Sequence, residues 1–293
     1  MSMLSVVAPL VRKLLLLSII AVVSAAVALA SLGLVVLRFI IPAPDLPRVA
    51  FTDGVLKNAP NQDGVDRVKN EIKAHYHVNA DGWMSSHDDY VEVKPPGEYR
   101  VAVIGDSYIE GLHIEPDENM AELIEQRLGA TKAEVYRLGI SGASLAQYLH
   151  FLREEVLDYQ PDLVVIFMVP NDLQESYRPA QGSYTGSYMK INIDGGEVTG
   201  EVAPKPYTDP WYAGITATSA TWRYLRHREK NDFQAVKDII LGARDLRLPE
   251  RETTTVPVAI TAPKTDPRNI VAARYLFGKI QEEVEGRGSG CCW

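Results

Sequence analysis

Cysteine is almost absent from this sequence. Cys291 and Cys292 are the only two, and they are adjacent. Neighbours in sequence rarely reach relaxed disulfide geometry, and no metal-type spacing accompanies them, so cysteine supports neither a disulfide framework nor a thiolate site. Basic residues are in deficit, 30 Lys and Arg against 38 Asp and Glu, for a net charge of −8. That balance argues against nucleic acid as a partner. Histidine is scarce, with six in 293 residues. No internal repeat or low-complexity tract occurs, and no motif calls for a metal or cofactor. The composition that remains, 46% hydrophobic and 23% charged, suits a globular body with one sizeable core and some extras.

One segment lacks charge altogether. From Leu14 to Leu37 the chain reads "LLLLSIIAVVSAAVALASLGLVVL". As a helix rising ~1.5 Å per residue it reaches about 36 Å, enough to cross a hydrocarbon core of roughly 30 Å. Arg12 and Lys13 precede it, favouring an inside N-terminus and an exported remainder, an asymmetry that Arg38 weakens. "ALA" at Ala28–Ala30 resembles a signal-peptide cleavage site, but the run exceeds a typical signal core. The expectation is a short tail over 1–13, an uncleaved transmembrane helix over 14–37, a linker over 38–74 and a periplasmic or extracellular domain over 75–293. "IPAPDLP" from Ile41 to Pro47 reads as the stiff start of that linker.

The domain opens with "HYHVNADGWMSSHDDYVEVKPPGEYR", where His75 and His77 alternate with Tyr76 and Val78 as on a strand edge. Strand then alternates with helix. Val101–Ile104 is a short apolar strand. In "NMAELIEQRL", Met120, Leu123, Ile124 and Leu128 fall on one helical face. "AEVYRLGI" is a second strand, a second helix starts at the cap Ser144, and "DLVVIFMV" is a third, almost wholly apolar strand. Continuous apolar strands between amphipathic helices predict an α/β fold with a parallel sheet covered on both faces.

Sites in such sheets form where the strands' carboxyl ends open into loops. Ser107 follows the first strand in "VAVIGDSYIEG", Gly142 follows the second in "GISGAS", and Asn171 follows the third in "VPND". Singly these are a cap, a turn and an Asx-turn. Together they supply what ester cleavage needs, a hydroxyl beside donors aimed at a developing oxyanion: the N–H groups of Ser107 and Gly142 and the Asn171 amide.

"GDSYIEG", with Gly105 and Asp106 before Ser107, then "ISG" and "ND", resembles the first three blocks of the SGNH (GDSL-type) hydrolases. The lead-in "NADGWMSSHDDYVEVKPPGEYR" resembles membrane-anchored bacterial members, and the similarity runs from about Val78 to Asp172. The resemblance implies a flavodoxin-like sheet, Ser107 as nucleophile, and Gly142 and Asn171 in the oxyanion hole. Val169-Pro170 departs from the usual Gly-x before Asn-Asp.

The family's acid and base come as Asp-x-x-His in a last block, and this sequence contains no such block. His75, His77 and His87 precede the first strand, His113 sits shortly after Ser107, and His150 and His227 fall in amphipathic helices. None is placed as a base, and the general base stays unassigned. "DPRNIVAARYLFGKIQEEVEG" predicts a helix with Ile270, Ala273, Phe277, Ile280 and Val284 on one face. The tail "RGSGCCW" shows no strand period, so the last strand is expected to be missing with the acid–base block, as after a shifted or cut reading frame, leaving that face partly uncovered. Between about 174 and 265 lies an insertion. It holds a hairpin turning at Asp194-Gly195-Gly196, a helix with a solvated face of Arg223, Arg226, Arg228 and Lys230, and a helix through Phe233, Val236, Ile240 and Ala243. The expected function is a membrane-anchored serine esterase acting on a small ester or an acylated glycan or lipid, impaired by the missing base. Acyl transfer to an envelope polysaccharide and a non-catalytic remnant or binding module are the alternatives.

Overall fold

The computed structural model describes residues 3–33, 35–36, 43–68, 71–129, 133–178, 184–211, 213–224 and 266–292. Helix α1, Met3–Ser31, begins well before Leu14, so most of the expected tail over 1–13 is helical instead. Its apolar stretch Val11–Ser31 is 0% buried against the rest of the protein and is long enough to cross a membrane. The expected linker is corrected further. Within 38–74 lie β1 (Val49–Thr52), β2 (Val55–Asn58), β3 (Gln62–Val68) and the start of β4 (Ile72–Val78). β1 and β2 form a hairpin through Asp53 and Gly54, both at positive φ as a two-residue loop demands, and β3 pairs antiparallel with β4. Val55 and Leu56 are buried in the main core, which no linker residue would be.

The central elements then follow as β5 (Tyr99–Gly105), α2 (Ser107–Glu110), α3 (Met120–Leu128), β6 (Ala133–Gly139), α4 (Leu145–Glu154), β7 (Leu163–Ile166) and α5 (Pro170–Glu175). After them come β8 (Lys190–Asp194), β9 (Glu197–Val202), α6 (Ala213–Thr218), α7 (Ala220–Arg223), α8 (Pro267–Gly286) and β10 (Gly290–Cys292). Four strands make one parallel sheet in the order β10-β7-β5-β6. Counted along the chain this is 2-1-3-4, the doubly wound order in which strand order reverses beside the first strand, here β5. The fold is α/β.

Side chains alternate across the sheet with period two. Val101, Val103 and Val135 pack with Ala121, Ile124 and Leu128 of α3 on one face. Ala102, Ile104, Tyr136, Leu138, Val164 and Ile166 pack on the other face with α4 and α8, in a core that includes Leu149, Leu276 and Ile280. The alternation explains why these strands are apolar at nearly every position.

Three expectations about faces and ends are corrected. On α3 the buried pair is Ala121 and Glu122, while Met120 and Leu123 are each 37% exposed. On α8 Ile280 and Val284 are buried and Phe277 packs on the core as expected, but the buried line continues through Asn269, Ala272 and Leu276, and Ile270 is exposed. α8 is covered after all, because it lies over α4 and the β8–β9 hairpin rather than waiting for a further strand. The tail also adds a strand. Gly288 turns at positive φ, Ser289 Oγ donates to Pro161 O, Gly290 N donates to Asp162 O, and Gly290–Cys292 runs parallel to Leu163–Val165. Three residues are too few to show a period; the open edge of β7 selects them.

In the insertion, the β8–β9 hairpin turns at Gly195 and Gly196, both at positive φ, as expected. Arg223 departs from the solvated face: its guanidinium donates to the carbonyls of Pro44, Thr216 and Ala217. Arg226, Arg228, Lys230, His227 and the helix through Phe233 and Ala243 lie outside the described residues.

Candidate functional site

The carboxyl ends of β5, β6 and β7 are neighbours, and the segments carrying Ser107, Gly142 and Asn171 leave from them. β5 and β7 adjoin where the strand order reverses, the position at which open parallel sheets form their crevices. Gly105 closes β5. A Cβ there would stand 2.3 Å from Ile109 Cγ1 and 3.2 Å from Phe167 O, so only glycine lets α2 fold back onto the strand. Asp106 is buried and caps α2, its Oδ1 accepting the Tyr108 N–H at 3.0 Å. Ser107 opens α2, is exposed, and makes no side-chain hydrogen bond among the described residues. The Ser107 hydroxyl is accessible to solvent there, with no described side chain bonded to it.

Gly142 sits in the turn after β6 at φ +77°, and a Cβ would approach Thr185 Cγ2 to 3.3 Å. The residue before it is gripped from two sides. Glu110, the last residue of α2, accepts from Ser141 N at 2.9 Å and from Ser141 Oγ, while Tyr188 Oη donates to Ser141 O at 2.9 Å. Asn58 Nδ2 donates to the other Glu110 oxygen at 3.1 Å. Burial pushes the Glu110 carboxyl above its ordinary range, against the lowering by these donors. The serine helix and the glycine turn are thus joined through one buried carboxyl.

Asn171 is exposed in the first turn of α5, and its Nδ2 donates to Glu175 Oε1 at 3.3 Å. Pro170 occupies the first helical turn, where a missing N–H costs nothing and the fixed φ suits the helix, so Val-Pro is tolerated in place of a glycine. Asp172, fully buried, accepts from Val169 N and from Tyr148 Oη, both at 2.9 Å. Its carboxyl is pushed up to about 7, chiefly by burial. Glu110 and Asp172 both escaped sequence reasoning. Each stands inside a quoted motif, but a carboxylate there reads as surface until tertiary packing buries it.

The described histidines are engaged elsewhere. His75 faces Glu115, His77 faces Asp63, His87 faces Glu125, and His150 bonds Gly54 O. His113 Nδ1 lies 2.6 Å from Asp66 Oδ2, a histidine–carboxylate pair joining the loop after α2 to β3. No hydrogen bond links any described histidine to Ser107. Among the described residues no cluster of three His, Cys, Asp or Glu is arranged for a metal ion.

No protein-family model matches the chain, and no curated protein matches it. Among solved structures it is similar to AlinE4, an SGNH-hydrolase family esterase, with 26% identity over 28% of this chain and 45% of that one, at a TM-score of 0.24. It is likewise similar to TesA, with 28% identity over 26% of this chain and 43% of that one, at a TM-score of 0.24. A catalytic mutant of Axe2, an acetylxylan esterase from Geobacillus stearothermophilus, aligns over 68% of this chain and 77% of that one, with 13% identity and a TM-score of 0.26. The chain spans less than half the length of the first two.

Proposed function

We propose that the chain carries a serine ester-hydrolase site of SGNH type centred on Ser107. The observation that carries the reading is the arrangement at one sheet edge: an exposed serine at a helix start, with a positive-φ glycine turn and an asparagine following the two strands that flank its own. In that chemistry Ser107 Oγ attacks the ester carbonyl, and the alkoxide oxygen is held by the N–H groups of Ser107 and Gly142 and by the Asn171 amide. The alcohol leaves, and water releases the acyl group from Ser107. Asn171 must turn from Glu175 towards the oxyanion when substrate arrives, a rotation its exposure permits.

The proton of Ser107 has no acceptor among the described residues, and the sequence has no Asp-x-x-His. Slow turnover follows, since triads lacking a member retain only ~10³–10⁴-fold over water. Turnover of a short-chain aryl ester by this chain, by Ser107→Ala and by Asn171→Ala tests the reading. A small rate lost in both variants supports it. Rates equal in all three would leave no serine site. Fast hydrolysis lost in Ser107→Ala would reveal a working base, with His113, already paired to Asp66, the first to substitute. Acyl transfer to a sugar acceptor, measured beside hydrolysis, separates the transferase alternative. The site is proposed to face the outer side of a membrane that α1 spans, with its N-terminus inside.

A further inference from the structure

The segment carrying Ala220, Thr221, Arg223 and Tyr224 packs on the chain that emerges from α1. Ala220 and Ala43 form a small buried cluster with Tyr224 against it. Arg223 Nε donates to Pro44 O at 2.9 Å, and its Nη2 stands 3.9 Å from Asp45. At Gly33 an added Cβ would come within 3.0 Å of Thr221 Oγ1. Gly33 lies inside the uncharged run Leu14–Leu37, close to its end. A bilayer that holds the run therefore places α7 at its outer boundary, where acyl chains meet headgroups.

The same segment exposes large apolar side chains. Trp211 is 88% exposed, Ile215 49% and Trp222 37%. Tryptophan concentrates at membrane–water interfaces, where the ring rests among acyl chains and the indole N–H reaches water or headgroups. The backbone here is also prepared for a poorly hydrated layer. The carbonyls of Thr216 and Ala217, near the end of α6, accept from the Arg223 guanidinium, and Thr218 Oγ1 donates to Gly214 O.

We infer that α6–α7 is an interfacial element, in which Trp211, Ile215 and Trp222 insert at the headgroup–acyl boundary of the bilayer crossed by α1. The occupant is phospholipid because the segment is continuous with the helix exit. The inference rests on α1 being a membrane anchor.

The test uses the full chain reconstituted into phosphatidylcholine vesicles, with and without bromine on the acyl chains. Co-flotation with the vesicles reads the anchor; tryptophan quenching by bromine reads the interfacial element. The expected result is quenching that is stronger with bromines near the headgroup than near the chain ends. With Trp293→Phe in every protein compared, it should be largely lost in Trp211→Phe/Trp222→Phe, which keeps the emission of the buried Trp83 as evidence of folding. Co-flotation without quenching by lipid overturns the interfacial element alone. Failure to co-float overturns the anchor and the inference with it. Indoles shielded from both lipid and aqueous quenchers in a dimeric preparation would assign the surface to a second copy and also overturn the inference.

Discussion

Asp172 illustrates how one residue links stability to pH. The folded chain keeps a proton on this carboxyl up to about pH 7, whereas the unfolded chain releases it near the ordinary value of 3.8. The contribution is therefore complete below the unfolded value and is lost as pH rises through about 7. Its ceiling is about 4 kcal/mol. Thermal melting of wild type and Asp172→Asn across roughly pH 4 to 8 should show the wild-type advantage shrinking with pH. A constant difference would contradict the buried, protonated carboxyl. Glu110 makes a second case. Glu110→Ala strips the acceptor from Ser141 N, Ser141 Oγ and Asn58 Nδ2. An unmade buried hydrogen bond costs ~1–3 kcal/mol, and the two Ser141 donors are only part-buried and can reach water, so a loss of about 2–4 kcal/mol is expected, with Glu110→Gln recovering part of it. Chemical denaturation in detergent measures both.

Elements act here through their ends and faces. The turn at Gly142 holds a left-handed conformation beside Thr185, so Gly142→Ala combines backbone strain of ~1–2 kcal/mol with a crowded Cβ. A lower Tm, together with weaker reactivity of Ser107 towards an aryl boronate, is the expected outcome; an unchanged Tm would mean that the turn relaxes freely. α8 makes the complementary point. Leu276 and Ile280 are fully buried over α4. Leu276→Ala should cost ~2–5 kcal/mol, whereas Ile270→Ala, on the exposed side, should cost little. Equal effects would restore the face expected from sequence.

At the scale of the whole molecule, α1 stands clear of the domain, with its apolar stretch 0% buried. Exposing such a surface to water is unfavourable at ~25 cal/mol per Å², and a bilayer removes that cost. The protein should fractionate with membranes and resist extraction by salt and alkali. In sealed spheroplasts, added protease should digest its C-terminal portion. A soluble product starting near Ser31 would instead show a cleaved leader.

Local pattern alone determined much of this protein. Val101–Ile104, the apolar run from Leu163 and the glycine pair at 195–196 announce their strands and turn, because backbone preference and period act over a few residues. The order strand–helix–strand also located Ser107, Gly142 and Asn171 at the ends of their strands before any contact was known, since parallel strands with crossover helices put all their carboxyl ends at one edge. What surrounds those residues was decided only in three dimensions. Glu110 and Asp172 are carboxyls whose burial comes from Asn58, Ser141 and Tyr148, all distant in sequence. β1–β3 and the first residues of β4 read as linker because their hydrophobic positions are sparse, and Val55 and Leu56 become core only against α4 and Trp83. The faces of α3 and α8 shifted because a helix turns its side chains to the partners it meets, not to the most apolar arc of its own surface. Gly290–Cys292 carries no strand signal, and the unpaired edge of β7 made it one.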